Sequence, residues 1–266
     1  MSIEALILHA TGTNRDQEAA QAVELAGARA EIVHLNQLRH EERRLASYQM
    51  LVLPGGFSYA DALGAGKLLA LDLKAYFAEQ VRAFVESGKP VIGICNGFQA
   101  LVKAGILPGG ILPGNENGKA GKVQASLTFN ASGHFECRWV RLAPVSRKCV
   151  WTRGLEELID CPVAHGEGNF VLADPAQAEE LRRCDQIALV YAREDGSPAE
   201  GIYPANPNGS LLDIAGVCNP RGNVLGLMPH PEDHISPYQH PLWRRGELGR
   251  SGLPLFTNGV RYAAQL

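Results

Sequence analysis

The chain has 266 residues, of which 45% are hydrophobic and 20% charged, a balance that supports a well-buried globular core. Its formal net charge of -3 offers no electrostatic attraction to nucleic acid or to an anionic membrane. No apolar run approaches the roughly 18 residues of a membrane span, and the start lacks the basic and apolar pattern of a signal peptide, so a cytoplasmic protein is expected.

Residues 3–9 read as a continuous apolar strand, and 13–26 as a helix capped by Thr13 or Asn14. Further strands are expected at 30–34, 49–53 and 90–94, with apolar residues at helical spacing over 68–85. Strands separated by helical segments imply a parallel sheet covered by helices on both faces. The pattern changes after Ile106. Residues 108–121 are rich in Gly, Pro and Asn and read as a loop. Residues 123–129 and 135–142 then read as an antiparallel pair around a turn at 130–134. Short strands follow at 187–191, 211–218 and 223–228, the last two joined by a turn at 219–222, and a helix is expected over 253–265. No repeat, low-complexity tract or linker interrupts the chain, so one domain spanning 1–266 is expected.

The most informative stretch is 90–99. A buried apolar strand runs straight into Cys95, and Gly93 and Gly97 bracket the thiol as Gly-x-Cys-x-Gly. That spacing suits a nucleophile elbow, a sharp strand-to-helix turn that lifts a reactive side chain above the end of a sheet. At the start of a helix, unpaired N–H groups and the macrodipole favour thiolate, and the Asn96 N–H can supply half of an oxyanion hole. A buried structural cysteine between two packing glycines is the plainer alternative. Cys137, Cys149, Cys161, Cys184 and Cys218 form no C-x-x-C pair and no metal spacing, and read as small buried or half-buried apolar residues.

A cysteine nucleophile needs a base, and the base needs an orienting group. Three His-x-acid pairs are present: His134-Phe-Glu136, His165-Gly-Glu167 and His230-Pro-Glu232. In the third, Pro229 and Pro231 push Met228 and His230 toward extended geometry, which places His230 and Glu232 on one side of the backbone. The segment follows the 223–228 strand, so His230 is expected at a strand end, as is Cys95. Pro-His-Pro-Glu as a rigid strand exit is the alternative. His230, Asp233, His234 and His240 also suggest a metal, but without fixed ligand spacing no metal is expected. The glycine-rich stretch from His165 to Phe170 is either a second functional loop or a tight turn. Pro54-Gly55-Gly56, where an apolar strand breaks, offers bare N–H groups for the other half of the oxyanion hole, or is a simple two-glycine turn.

Pro54-Gly-Gly-Phe-Ser-Tyr, Gly93-Ile-Cys-Asn-Gly-Phe-Gln, His165-Gly-Glu-Gly-Asn-Phe, Asn206-Pro-Asn-Gly-Ser and Gly226-Leu-Met-Pro-His-Pro-Glu232 lie in one order along nearly the whole chain. Together they resemble the glutaminase subunits of phosphoribosylformylglycinamidine synthases, which are class I (triad) glutamine amidotransferases of purine biosynthesis. The resemblance implies an α/β fold, a single-domain α/β/α sandwich with a largely parallel central sheet and antiparallel additions. It implies Cys95 as nucleophile, His230 as base, Glu232 as orienting group, and Gly56 and Asn96 backbone as the oxyanion hole. Gln99, Asn130, Ser132 and Phe135 match positions that line the glutamine pocket. The activity implied is glutamine hydrolysis that supplies ammonia for converting formylglycinamide ribonucleotide to formylglycinamidine ribonucleotide.

The chain departs from the family pattern in two places. Thr11-Gly-Thr-Asn-Arg15-Asp16 replaces the usual Pro-Gly-Thr-Asn-Cys-Asp, and Ala60-Asp-Ala-Leu-Gly64 replaces Gly-Asp-x-x-Arg. Gly64-Ala-Gly-Lys67 is a near miss for a phosphate loop, lacking its first glycine and its Ser or Thr. With no ATP signature, no cofactor is expected in this chain. The resemblance places ATP and Mg on a large synthetase subunit, accompanied by a small accessory subunit. Trp243-Arg244-Arg245 is a candidate docking surface for that complex. Competing readings are a glutaminase serving another synthetase, a different cysteine hydrolase, or a non-catalytic scaffold subunit.

Overall fold

The computed structural model describes residues 2–109 and 124–266; most of the loop expected at 108–121 lies outside the described residues. In chain order come β1 (Glu4–His9), α1 (Asp16–Leu25), β2 (Arg29–His34), α2 (Leu35–Arg39), β3 (Met50–Leu53), α3 (Lys67–Ala75), α4 (Ala78–Glu86), β4 (Val91–Ile94) and α5 (Asn96–Lys103). Beyond residue 123 come β5 (Ala125–Thr128), β6 (Glu136–Pro144), β7 (Ile159–His165), β8 (Asn169–Leu172), α6 (Gln177–Arg183), β9 (Ile187–Ala192), β10 (Ile214–Cys218), β11 (Val224–Leu227) and α7 (Leu253–Ala263).

Among the described residues, nine strands form one sheet in the order β2-β1-β3-β4-β11-β10-β9-β6-β7. Neighbours are parallel from β2 to β11 and antiparallel from β11 to β7. The strands β3, β4, β10 and β11 are buried along their whole length, as a sheet covered on both faces requires. α1 packs with α7, and α3 packs with α4 and α5, giving the two helical layers. α5 is the central helix, buried from Asn96 to Val102. No helix among the described residues is long and apolar enough to cross a membrane.

Several sequence expectations need correction. The helix expected from residue 13 starts at Asp16, and no side chain caps it. The Thr13 hydroxyl instead accepts from the Ala10 N–H, and the Thr13–Asn14 backbone lies beside Gly55–Gly56. The helix expected over 68–85 is two helices, broken at Tyr76–Phe77. Leu73, Phe77 and Val81 line one apolar cluster across the break, so their spacing of four conceals it. Residues 211–213 form a 3-10 turn before β10, and Cys137 is exposed rather than buried.

Among the described residues, β5 and β6 do not pair as the hairpin expected over 123–142. β5 pairs with β8 in a separate two-stranded sheet, with Thr128 opposite Asn169. β6 pairs with β7 in the main sheet, with Glu136 opposite His165. The β5–β6 arm thus lies along the β7–β8 arm, and both bend where they pass from one sheet to the other. Residues 129–135 and 166–168 are the two corners of that bend. Alternation along a strand shows that it is half-buried but not which strand it pairs with.

Candidate active site

β4 and β11 are adjacent and parallel, with Ile94 opposite Leu227, so the residues that follow them emerge at one end of the sheet, where ligand sites form in such folds. Cys95 follows β4 directly, and its N–H donates to the Leu227 carbonyl over 2.8 Å. Its φ is 48° and its ψ -103°, a backbone state that costs a non-glycine residue about 1–3 kcal/mol and persists where the surroundings dictate it. Close packing dictates it here. A Cβ on Gly97 would stand 2.0 Å from the Leu53 carbonyl oxygen, and one on Gly226 2.0 Å from the Phe98 ring. A side chain at either position would lift α5 from the strands and turn Cys95 aside. The Cys95 Sγ lies 3.8 Å from the Ala164 carbonyl oxygen on β7.

His230 follows β11, and its N–H donates to the Pro162 carbonyl over 2.8 Å. Pro231–Asp233 is a 3-10 turn with Pro231 at its start, so the pairing of His230 with Glu232 arises from a turn and not from the extended backbone expected. Proline's fixed φ suits that first turn position. The His230 Nδ1 lies 2.7 Å from Glu232 Oε1, and the ring also hydrogen-bonds the Cys95 thiol. With Nδ1 held by the carboxylate, Nε2 faces sulfur. Burial disfavours the imidazolium, but the charges of Glu232 and Cys95 and hydrogen bonds to both hold the ring well above its ordinary value.

The chain after β3 supplies a backbone donor beside this pair. Gly56 faces Thr13 in an isolated antiparallel bridge whose hydrogen bonds are made by the flanking residues, Phe57 N–H to Gly12 and Asn14 N–H to Gly55. The Gly56 N–H is therefore left over, and no acceptor takes it among the described residues. The Asn96 N–H, in the first turn of α5, is likewise unsatisfied. Glycine is required at 56: its φ is +140°, and a Cβ would stand 2.6 Å from the Asn14 nitrogen. Gly55 is equally constrained, since a Cβ there would lie 2.5 Å from His230 Cε1.

The corner between β7 and β8 closes one side of the site. Asn130 is buried beneath it, donating to the His134 and His165 carbonyls and accepting from the Gly168 N–H over 3.0 Å. The His165 Nδ1 meets Asn130 Oδ1 at 3.1 Å, which makes Nδ1 the protonated nitrogen. Burial, with the nearby charge of His230, pushes His165 down to about 3, so the ring is neutral. Gln99 is buried and donates to the Glu167 carbonyl over 2.7 Å, while its oxygen accepts from Asn96. Glu167 in turn accepts from the Ala65 N–H and pairs with Lys103. Ser132 and Phe135 lie on the exposed outer corner, Ser132 donating to Glu136 over 3.1 Å and Phe135 resting against Gly166.

The structure thus brings Cys95, His230, Glu232, Gly56 and Asn96 to one place, with Gln99 behind Asn96 and Asn130 under the corner. Among the described residues, Ser58 Oγ, His165 Nε2 and Glu232 Oε2 are buried without a hydrogen-bond partner. Sequence alone leaves His165 and Glu167 unassigned, although the repeated His-x-acid spacing marks them. Nothing in the sequence points to the approach of Arg15 to the 231–233 turn, where its Nε lies 3.7 Å from Asp233 Oδ2. His230, Glu232 and Asp233 bring ligand-type atoms within 4.8 Å of one another, but both ring nitrogens of His230 are already engaged, so the arrangement suits proton transfer and not metal binding.

Residues 2–263 match the family model of the CobB/CobQ-like glutamine amidotransferase domain. The chain is 52% identical to the phosphoribosylformylglycinamidine synthase subunit PurQ of Treponema denticola, over 98% of this chain and 99% of that one. It is 44% identical to the subunit of the same name from Dehalococcoides mccartyi, over 99% of each chain. Among solved structures it resembles a chain of PurLQS from Thermotoga maritima, with 31% identity and a TM-score of 0.74 over 98% of this chain and 99% of that chain.

Proposed function

The chain belongs to the PurQ family of phosphoribosylformylglycinamidine synthase subunits, and from that premise we propose that Cys95, His230 and Glu232 hydrolyse glutamine to supply ammonia to an ATP-dependent synthetase. The observation that carries the reading is the His230 ring, held between the Cys95 thiol and Glu232 where two adjacent parallel strands end.

The geometry supports each step. His230 accepts the thiol proton through Nε2 while Glu232 fixes the proton on Nδ1. The thiolate attacks the side-chain amide carbon of glutamine, and the oxyanion that forms is held by the free N–H groups of Gly56 and Asn96. Protonated His230 then delivers its proton to the departing nitrogen, releasing ammonia and leaving a glutamyl thioester on Cys95. Water, deprotonated by the now neutral His230, hydrolyses the thioester to glutamate and restores the thiol. Gln99, Asn130, Ser132 and Phe135 are assigned to the glutamine pocket, with Gln99 and Asn130 acting from below through the Glu167 and Gly168 backbone.

Ammonia formed here needs an acceptor. We assign that chemistry, with its ATP and Mg, to a large synthetase subunit joined by a small accessory subunit, and the product to formylglycinamidine ribonucleotide. Trp243, exposed, edge-on to Tyr238 and overlain by Arg244, is retained as a docking candidate. An electrophilic glutamine analogue tests the reading: it should modify Cys95 alone among the cysteines, and glutamine should protect it. Equal labelling of exposed Cys137, or no protection, would refute the assignment.

A further inference from the structure

Glu232 is followed on the same 3-10 turn by a second carboxylate, Asp233, and one residue at the start of α1 faces it. The Arg15 Nε lies 3.7 Å from Asp233 Oδ2, and its Nη1 lies 2.9 Å from Glu18 Oε1. The backbone N–H of Arg15 donates to the Gly55 carbonyl over 3.3 Å. Its Cγ stands 3.5 Å from the point a Cβ on Gly55 would occupy, and that same point is 2.5 Å from His230 Cε1. Gly55 is thus flanked by the stem of Arg15 and the imidazole.

We propose that Arg15 is a positioning residue of the triad: through Asp233 it clamps the turn that carries Glu232, and through Gly55 it fixes the segment against which the His230 ring rests. The proposal rests on the reading of Cys95, His230 and Glu232 as the triad. Two neighbouring carboxylates on one short turn repel each other, and a guanidinium that stays charged at every working pH offsets that repulsion. A fork is suited to the task because one arm can hold Glu18 on α1 while another faces Asp233.

The clamp should respond to pH. The groups facing Asp233 are Glu232 beside it and His230 just before the turn, Arg15 and Glu18 at the start of α1, and the buried Cys161 thiol on β7, which burial and the neighbouring carboxylates push up. Burial and Glu232 push its carboxyl up to about 6, against the pull of His230 and Arg15. Above that value the ion pair with Arg15 is intact; below it Asp233 takes up a proton and the turn is released.

The test is glutamine hydrolysis by the chain assembled with its synthetase partner, with kcat and KM followed from about pH 5 to about pH 8. Wild type, Arg15→Met, Arg15→Lys and Asp233→Asn are compared. Wild-type kcat should fall along an acid limb centred near 6. Arg15→Met and Asp233→Asn should lower kcat about tenfold at neutral pH, leave KM within about twofold, and lose that limb. Arg15→Lys should restore part of the rate. A wild-type rate and limb in Arg15→Met would overturn the proposal, as would an equal loss at every pH with the limb retained, which a merely structural arginine would give. Glutamine hydrolysis that survives Cys95→Ala would instead refute the triad itself, so the two failures are distinguishable.

Discussion

The Nδ1 of His230 and Oε1 of Glu232 lie 2.7 Å apart with their side chains 4% and 0% exposed, so the pair acts in a medium from which water is excluded. A carboxylate there both fixes the imidazole tautomer and stabilises its protonated form. Glu232→Gln keeps the shape, removes the charge, and can present an N–H where an acceptor is needed. Glutamine hydrolysis should fall by at least about 10²-fold in kcat, measured by steady-state kinetics, with little change in KM. A variant within threefold of wild type would show that the carboxylate only packs.

Cys95→Ala should abolish glutamine hydrolysis while synthesis from added ammonia by the assembled complex survives. The same position tests the backbone. Because φ is 48° at Cys95, Cys95→Gly should be more stable than Cys95→Ala by about 1 kcal/mol, although it buries less surface. Chemical denaturation of the two inactive variants measures the difference, and the reverse order would mean that the turn is unstrained.

His230→Ala should slow thioester formation far more than His165→Ala, because only His230 touches sulfur. His165 should show itself in stability. Its pKa is near 6.5 in the unfolded chain and is lowered to about 3 on folding by burial and by His230. Between these values the unfolded chain holds the proton and the folded one does not. Stability from this group is therefore full above 6.5 and falls as pH drops toward 3, by at most about 1.4 kcal/mol per pH unit. Denaturation from acid to neutral pH should show that slope reduced in His165→Gln. His230, whose folded value is raised, acts in the opposite sense and is common to both proteins, so the comparison isolates His165.

Gly97→Ala should cost about 1–3 kcal/mol or more, since its Cβ would meet the Leu53 carbonyl at 2.0 Å. Gly166→Ala, whose nearest neighbour would be Phe135 at 3.9 Å, should stay within about 0.5 kcal/mol of wild type. Thermal unfolding of both checks the contrast. Equal stabilities would mean that α5 can move away from β3 freely.

Coupling to the partner should reside in the oxyanion loop. Tyr59, Ala60 and Asp61, close after Gly56, hold φ values of 55°, 53° and 52°, a strained run that a binding partner can relax or reinforce. The isolated chain should hydrolyse glutamine slowly and gain activity when synthetase subunits and acceptor are added, since one misdirected oxyanion donor costs about 3 kcal/mol. Full turnover by the chain alone would remove this coupling.

Most of the parallel half of the sheet was legible because β1, β3 and β4 are short apolar runs separated by helical segments. The residues proposed as the triad stood out because Gly-x-Cys-x-Gly and Pro-His-Pro-Glu constrain backbone locally. What was hidden is non-local. β5 finds its partner in β8, and β6 finds β7 and β9, pairings that alternation cannot announce. Asn130 reads in sequence as a turn residue, yet its side chain holds the 165–168 corner together. Arg15 reads in sequence only as a departure from the family pattern, and only the approach of α1 to the 231–233 turn suggests a role for it.

The central placement of β4 has a bearing on synthesis of the chain itself. Its partners are β3, already made, and β11, which enters the sheet only once residues 224–227 exist. Until then a growing chain carries its thiol on a strand with one raw edge, and the imidazole that would activate it has not been polymerised. At typical elongation rates of about 5–20 residues per second that interval lasts roughly 7–27 seconds. Nascent chains at that stage lack the proposed base, and they present an unpaired strand edge. Premature stops between 95 and 223 should accordingly yield aggregates cleared by proteases rather than dim enzymes.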